Sequence, residues 1–315
     1  MPRHRRLALI DMGTNTFHLL IVELPEARHA EPVVLLRTKV GVKLGEGGIS
    51  KGEIAPEAYA RALHTLAAFQ EEIELHQATE VRATATSAVR NATNGPELVK
   101  DIFEQNGIRV EIIAGAREAE LIAKGVRQAV NLGTEPHLLM DIGGGSVEFI
   151  VADQETIFWK QSFEIGAQRL LDQFFRHDPL TADDVRAEQE YLAEVLAPLT
   201  AAIQHYRPQA LVGASGTFDT LGDLQAAREG ESRGPQLPPE TPISLPSFYQ
   251  SYDQLLTTTH AQRLLMPGMT PLRADMIVVA CVLIDFVLKT YEFTHIRASA
   301  YALKEGLLAE MLAAG

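Results

Sequence analysis

The sequence predicts an α/β fold made of two similar lobes, and three observations support this. Its 315 residues suggest about two domains, at roughly 150 residues per domain. Short apolar runs typical of strands alternate with apolar residues at helical spacing. The segments DMGTNTFHLLIV, at 11–22, and DIGGGSVEFIVA, at 141–152, align without a gap. Two matching strand-turn-strand units indicate a duplicated architecture, with one unit in each lobe.

The first half of the chain predicts strands and helices in a mixed order. LALIDMG and FHLLIVEL indicate two strands joined by a polar turn, and PVVLLRTKV indicates a third. A helix is expected over 56–76, because apolar residues recur there at helical spacing and Pro56 suits a first helical turn. The elements expected next are a strand at TEVRATAT, a helix at about 95–105, a strand at IRVEII and a helix from 116 to about 130.

The second half opens with the same kind of unit. HLLMDIGGGSVEFIVAD and IFWKQSFEI indicate two or three strands around a glycine turn, and QALVG indicates a later strand. Residues 229–246 contain five prolines and are expected to form a surface loop. The helices expected in this half lie at 168–176, 183–205, 217–228, 247–258 and 272–291.

Composition excludes several classes of protein. Apolar residues make up 46% of the chain and charged residues 22%, which is too apolar for a disordered chain. The single cysteine, Cys281, excludes an intrachain disulfide and a cysteine-rich zinc module. Asp11 interrupts the first apolar run too early for a signal peptide. The apolar stretch 276–288 is shorter than the roughly 20 residues of a membrane span, so a cytoplasmic protein is expected.

The charge balance disfavours broad nucleic-acid binding. The chain has 28 basic and 41 acidic residues, a formal net charge of −13, whereas binding to nucleic acid requires a basic surface. The same charge disfavours long-range electrostatic capture of any polyanion. It does not exclude a local site that holds phosphate with backbone N–H groups, a few cations and a metal ion.

The two repeated turns have chemistry suited to phosphate. A turn of small residues sets several backbone N–H groups in a concave row that receives phosphate oxygens. An aspartate at the end of the preceding strand can hold Mg²⁺. A third glycine segment, at 211–217, runs from a strand into a helix whose N-terminus can contact an anion. One such turn is explained equally well as a plain hairpin, but two matched copies favour phosphate binding. The chain has neither a P-loop nor the G-x-G-x-x-G spacing.

The ordered blocks of this chain resemble the exopolyphosphatase/guanosine pentaphosphate phosphohydrolase family, in its short two-domain form. That family belongs to the sugar kinase, heat-shock chaperone and actin superfamily. The resemblance implies two actin-like, ribonuclease-H-like lobes with a cleft between them. The lobes are expected at 1–123 and 124–299, with the C-terminal helix at about 300–315 completing the first. The blocks that carry the resemblance are IDMGTNTFHLLI, KLGEGGISKGEI, TATSAVRNATNG, GAREAELI, MDIGGGSVEFIV, IGAQRL, GASGT, RADMIVVA and ALKEGLL.

The resemblance assigns catalytic roles to Glu118 and Arg90. A carboxylate at Glu118 would orient or deprotonate the attacking water, and the guanidinium of Arg90 would hold phosphate oxygens. Alternatively, Glu118 would only stabilise the first turn of its helix, and Arg90 would form a structural ion pair. Glu120 is expected on another helix face, in contact with solvent.

The metal and phosphate ligands follow from the same match. Asp141 and Glu148, with Asp11 as a third candidate, are the expected ligands of Mg²⁺. A basic strip is expected from Lys39, Lys43, Arg169, Arg273 and Lys304. The expected phosphate contacts are Gly13, Thr14, Asn15, Thr16, Gly143, Gly144, Gly145, Ser146, Gly213, Ser215 and Gly216.

The resemblance implies a Mg²⁺-dependent hydrolase that releases orthophosphate from the end of inorganic polyphosphate. One alternative is a guanosine pentaphosphate 5′-phosphohydrolase, which would give guanosine tetraphosphate. Another is a non-catalytic sensor of polyphosphate or of guanosine alarmones, although such a sensor would not need Glu118. A kinase of the same superfamily is disfavoured, since no sugar-binding signature stands out. The expected partners are these phosphate compounds and a second copy of the chain, with neither nucleic acid nor membrane.

Overall fold

The computed structural model describes residues 5–24, 32–231, 234 and 237–314. The basic start of the chain and part of the expected proline-rich loop lie outside the described residues. The chain divides into two compact units, Met1–Arg117 and Glu118–Gly315. The boundary expected after residue 123 falls within the helix that spans this division, and the C-terminal helix groups with the second unit.

The first unit is a five-stranded mixed sheet with helices. The sheet has the order β3-β2-β1-β4-β5, and β2 runs antiparallel to the other four strands. The last helix of this unit continues into the second unit. The elements are β1 (Arg5–Met12), β2 (Phe17–Leu24), β3 (Val33–Val40), α1 (Pro56–Leu75), β4 (Glu80–Ala85), α2 (Ser87–Arg90), α3 (Gly95–Asn106), β5 (Val110–Ile112) and α4 (Gly115–Ala129).

The second unit is a six-stranded mixed sheet in the order β10-β11-β9-β6-β7-β8. Its elements begin with β6 (His137–Ile142), β7 (Val147–Ala152), β8 (Ile157–Phe163), α5 (Ala167–Phe174), α6 (Ala182–Val195), α7 (Ala197–Tyr206) and β9 (Leu211–Ala214). They continue with α8 (Gly216–Arg228), β10 (Glu240–Ile243), α9 (Leu245–Thr257), α10 (His260–Arg263), α11 (Met276–Thr290), β11 (Ile296–Ser299) and α12 (Leu303–Ala314).

The two units repeat one topology. In each, an antiparallel hairpin (β1–β2 or β6–β7) is extended by a third antiparallel strand on one side and a parallel strand on the other. The turns are closed alike, since the N–H of Gly13 donates to the Thr16 carbonyl at 3.1 Å and that of Gly143 to the Ser146 carbonyl at 3.0 Å. The predicted α/β class with two ribonuclease-H-like lobes is confirmed, and the structure agrees with the predicted duplication.

Each unit has a separate apolar core. Apolar side chains on both faces of β1 and β2 are buried, as expected for a sheet that is covered on both sides. Helix α1 packs on this sheet through residues such as Ala62, Leu66 and Phe69, which share one helical face. In the second unit, the almost wholly apolar α11 packs against α5, α6 and α9. Among the described residues, no helix has the length and apolar character needed to cross a membrane.

The sequence predictions were wrong in three places. The helix predicted over 183–205 is two helices, because Pro198 starts α7 and lacks the N–H that a continuous helix would use. The loop predicted over 229–246 contains β10, which pairs antiparallel with β11. The helix predicted from residue 272 begins at Met276, after a short 3-10 helix at Pro271–Arg273. Strand β11 was not predicted either. Both β10 and β11 have only four residues, so the alternation of apolar and polar residues in them is too short to recognise.

Candidate active site

Three buried carboxylates of the second unit form the centre of the candidate site. Glu118 lies in the first turn of α4, Asp141 near the end of β6 and Glu148 near the start of β7. Their exposed fractions are 6%, 5% and 1%. Burial and the negative charges of Glu118 and Asp141 raise the pKa of Glu148 well above its usual value. The structure therefore brings the predicted base together with two of the three predicted metal ligands.

Glu148 is held by two serines. The Ser162 hydroxyl donates to Glu148 Oε1 at 2.6 Å, and Ser146 forms a second hydrogen bond that favours the charged form. Ser162 lies directly opposite Glu148 in the β7–β8 pairing. Sequence reasoning missed Ser162, although its position across a short hairpin from Glu148 is a signal that could have identified it.

Asp141 lies among groups that favour its negative charge. Burial raises the pKa of Asp141, while a hydrogen bond from Ser215 and the charges of Arg273 and Lys304 act in the opposite direction. Ser215 has a φ angle of 70°. This backbone conformation is unfavourable for any residue other than glycine and costs about 1–3 kcal/mol. This strained serine lies between β9 and α8, in the third predicted phosphate segment.

In the turn of the second hairpin, at 143–146, the carbonyls accept hydrogen bonds, whereas two of the amides donate none to the described residues. The carbonyls of Gly143 and Gly144 accept from the first turn of α5, at 2.9 and 2.8 Å, and the Gly145 carbonyl accepts from Arg169 Nε at 2.9 Å. Within the described part of the chain, no hydrogen bond is formed by the amides of Gly144 and Gly145. Such a turn is a receptor for an anion.

Helix α5 can approach this turn only because Gly166 lacks a side chain. A Cβ built on Gly166 would lie 2.4 Å from the carbonyl carbon of Gly144, well inside van der Waals contact. The Gly166 N–H also donates to the Gly145 carbonyl at 3.2 Å. The conformation of the turn is therefore supported by α5 as well as by its own hairpin.

A second group of unused donors lies at the start of α8. The Thr217 hydroxyl is buried and has no hydrogen-bond partner among the residues described. A Cβ built on Gly216 would lie 2.3 Å from Arg273 Nη2, so the guanidinium packs directly on this glycine. Arg273 is 7% exposed. Its guanidinium takes part in none of the hydrogen bonds of the described residues, although Asp219 and Asp141 stabilise its charge.

Gly213, which was predicted to bind phosphate, has a clear packing role. It lies within β9, and a Cβ there would overlap the ring of Phe218, at 2.1 Å from its nearest atom. The absence of a side chain lets the first turn of α8 pack against the sheet.

The turn of the first hairpin, at 13–16, is supported by the following loop. The amides of Lys43 and Gly45 donate to the carbonyls of Asn15 and Thr14, at 2.9 and 3.0 Å. Lys43 has a φ angle of 50°, so this loop too contains a strained non-glycine residue. The carbonyls on one side of the turn are thus occupied, as in the second unit.

Asp11 and Arg90 belong to the first unit. Asp11 lies opposite His18 in the β1–β2 pairing, and His18 Nε2 is 3.1 Å from Thr16 Oγ1. Arg90 ends α2 and donates from Nη1 to the Ile113 carbonyl at 3.1 Å. Arg90 therefore supports the start of the segment that leads into α4, and its phosphate contact stays a prediction.

The five residues of the predicted basic strip are divided between the two units. Lys39 lies on β3, and Lys43 pairs with Glu46 at 3.5 Å in the first unit. Arg169, Arg273 and Lys304 belong to the second unit. The charges of the last two act on Asp141 and favour its ionised form.

Glu120 is not solvated as expected. Its carboxylate forms an ion pair with Lys160 on β8, and the two side chains are only 36% and 27% exposed. Residues two apart do lie on different faces of a helix. Glu120 reaches Lys160 on β8, 40 residues away in the chain, and sequence reasoning could not predict a contact between segments so far apart.

The carboxylates offer oxygen ligands but no complete metal cage. Among the described residues, no group of three or more histidine, cysteine, aspartate or glutamate side chains could hold a metal by itself. Mg²⁺ commonly uses one or two carboxylates and completes its shell with water and phosphate oxygens. Asp141 and Glu148 fit this role, because burial raises the pKa of both and a nearby cation would stabilise their charged forms.

Comparison with known proteins identifies the family of this chain. A model of the Ppx/GppA phosphatase family matches residues 22–314. The chain is 31% identical over 284 residues to exopolyphosphatase 2 of Mycobacterium tuberculosis, covering 86% of each chain. It is 48% identical to the crystal structure of an exopolyphosphatase from Cytophaga hutchinsonii, with a TM-score of 0.94 and 98% of each chain covered. An Aquifex aeolicus PPX-GPPA enzyme shares the fold, with 22% identity, a TM-score of 0.78, and 97% and 99% coverage. The chain belongs to the Ppx/GppA phosphatase family.

Proposed function

We propose that this protein is an exopolyphosphatase that removes the terminal phosphate of inorganic polyphosphate with the help of Mg²⁺. The observation that carries the proposal is the buried group of Glu118, Asp141 and Glu148 in a unit that also holds unused anion donors. Carboxylates alone would repel a polyanion. Combined with a metal ion and oriented N–H groups, they form a site in which phosphate is bound and water is activated.

In this proposal Glu118 acts on the attacking water. The water oxygen forms a bond to the terminal phosphorus, and the bond from that phosphorus to the bridging oxygen breaks. Glu118 accepts the proton that the water loses, and the bridging oxygen leaves with the shortened chain. The products are orthophosphate and a polyphosphate with one unit fewer.

The unused donors of the second unit would hold the phosphate in position. The amides of Gly144 and Gly145 would donate to phosphate oxygens, as would the hydroxyl of Thr217 and the guanidinium of Arg273. Asp141 and Glu148 would hold Mg²⁺, which when bound neutralises charge on the phosphate oxygens. Two relatives named as exopolyphosphatases support this choice of substrate.

A comparison of substrates tests the proposal. Purified protein with Mg²⁺ is incubated with short polyphosphate, long polyphosphate and guanosine pentaphosphate, and phosphate release is measured. We expect turnover of polyphosphate with a higher kcat/KM than for the nucleotide. Preferential release from guanosine pentaphosphate would favour the other activity expected from the sequence. Tight binding of polyphosphate without phosphate release would identify a sensor and contradict the proposal.

A further inference from the structure

Arg263 is a completely buried arginine in the second unit, with 0% of its side chain exposed. Its Nε donates to the Ala274 carbonyl at 2.5 Å, and its Nη1 donates to the Thr258 carbonyl. Nη1 is 2.9 Å from Asp178 Oδ1, and Nη2 donates to Asp275 Oδ1 at 2.9 Å. One guanidinium therefore joins the segment after α5, the segment before α10 and the segment before α11.

A buried charge with this many partners is costly to replace. Removing a guanidinium from water costs several kcal/mol, and the cost is offset only when most of its donors are used in good geometry. The fork of arginine provides such geometry, whereas the single ammonium of lysine does not. The face of the Phe175 ring lies 5.5 Å from the guanidinium carbon and completes its surroundings. The network specifies one relative position for the three segments.

The segment before α11 carries Arg273. Ala274, whose carbonyl Arg263 binds, is the next residue after Arg273, and Asp275 follows it. The Arg273 side chain in turn packs on Gly216 and interacts with Asp141. Arg263 thus holds the two residues that directly follow the buried arginine of the candidate site.

We propose that Arg263 is a positioning residue that acts through Arg273. It fixes the backbone at 274–275, so that the Arg273 guanidinium stays over Gly216 with its donors available for a phosphate group. The role of Arg273 in this inference rests on the proposed function. Among the described residues, Arg263 forms no hydrogen bond or ion pair with the three buried carboxylates of the candidate site or with the amides of the turn at 143–146. Its effect on ligand binding is therefore expected to depend on Arg273.

Arg228 provides a matched control. It is a partly buried arginine of the same unit, and it joins α8 to α9 through Ser247 and Ser251, with distances of 2.6 to 3.0 Å. Arg228 lies at the end of α8, far from Gly216 at its start. Replacement by lysine weakens the packing of the unit in both cases, but only Arg263 is adjacent to the segment that carries Arg273.

A double-mutant cycle tests the inference. The variants Arg263→Lys, Arg273→Gln and the double variant are compared by kcat and KM on tripolyphosphate. The Kd for tripolyphosphate is measured by calorimetry in the same variants carrying Glu118→Gln, which is expected to slow turnover strongly. We expect Arg263→Lys to raise KM and Kd about tenfold with a smaller change in kcat, and to change them less than about twofold when Arg273 is already glutamine.

Controls separate positioning from general loss of structure. Arg228→Lys is expected to lower the melting temperature with Kd unchanged, and far-UV circular dichroism and melting curves are recorded for every variant. If Arg263→Lys fails to fold, Asp275→Asn replaces it in the cycle, because it removes the negative charge that pairs with the same guanidinium. Equal weakening of binding with and without Arg273 would overturn the inference. The Kd cycle reports on Arg263 even if wild-type protein releases no phosphate, so failure of the proposed activity is recognised separately.

Discussion

Among single residues, Glu118 has the most directly testable role. Its carboxylate is buried beside Glu148, whereas a glutamate that only stabilised a helix start would need no such surroundings. We expect Glu118→Gln to lower kcat by about 10²–10⁴-fold, the usual range for loss of a general base. The Kd for tripolyphosphate should change by less than about threefold, because glutamine has nearly the same shape.

Phosphate release and calorimetry on the same preparations measure the two effects. Glu135→Gln, at an exposed position of the same unit, is the control and should match wild type in both. Near-normal turnover of Glu118→Gln would show that another group activates the water.

Glu188, on α6, is a buried glutamate outside the candidate site that is expected to make the stability of the protein depend on pH. The residue is fully buried, its two carboxylate oxygens have no hydrogen-bond partner among the described residues, and burial raises its pKa well above the ordinary 4.5. Above pH 4.5, folding is therefore accompanied by the uptake of a proton at Glu188. The free energy of unfolding falls as pH rises, by about 1.4 kcal/mol per pH unit while folded Glu188 keeps its proton.

We expect Glu188→Gln to remove this contribution and to gain stability relative to wild type as pH rises from 4.5 towards the folded pKa. Urea unfolding at a series of pH values measures it, with Glu190→Gln, exposed on the same helix, as the control. Parallel pH profiles for wild type and Glu188→Gln would contradict the prediction.

At the scale of elements, an ion pair links α4, the helix that carries Glu118, to β8. The Glu120–Lys160 ion pair joins the first half of this helix to the sheet, and Ser162, two residues along β8, binds Glu148. Because residues two apart on a strand share a face, Lys160 and Ser162 lie on the same face of β8, where one contacts α4 through Glu120 and the other contacts Glu148.

Reversing the charges of this ion pair tests the contact. Glu120→Lys or Lys160→Glu alone places like charges together and is expected to lower kcat roughly tenfold with little change in KM. The double reversal should restore most of kcat, since interacting residues are not additive. Steady-state kinetics measure both constants, and reversal of the exposed Asp183–Arg186 pair is the control. Losses that simply add in the double variant would contradict a positioning role.

For the whole molecule, the net charge of −13 limits how a polyanion is recognised. Long-range attraction is disfavoured, so we expect binding to depend on Mg²⁺ and on donors close to the carboxylates. We expect EDTA to abolish phosphate release and added Mg²⁺ to restore it. Asp141→Ala should require a several-fold higher Mg²⁺ concentration, because one or two carboxylates usually hold this ion. A titration of activity against Mg²⁺ measures the change, and an identical curve for Asp141→Ala would contradict its assignment.

Local features of the fold could be predicted from the sequence. The two hairpins were found because each consists of neighbouring strands and a glycine turn, whose pairing depends on a few adjacent residues. The four-residue strands β10 and β11 were missed, because their pairing is decided by contacts between distant segments. The break at Pro198 was a local signal that was overlooked.

The residues of the candidate site were predicted only where they belong to a recognisable sequence motif. Glu118, Asp141 and Glu148 were named from family blocks and lie together in one unit. Ser162, Lys160 and the free hydroxyl of Thr217 were missed, since serine, lysine and threonine have no distinctive pattern until their neighbours are known.

The sequence by itself determined the α/β class, the duplicated hairpin and the residues able to act on phosphate. These depend on periodicity, on short motifs and on chemical type, which are properties of adjacent residues. Only the tertiary structure decided which charges are buried together, which donors are left unused and how Arg263 supports Arg273. Burial and hydrogen bonding are set by segments far apart in the chain, as in the ion pair between Arg263 and Asp178. Burial strengthens the electrostatic interactions between such charges, because the protein interior has a lower dielectric constant than water.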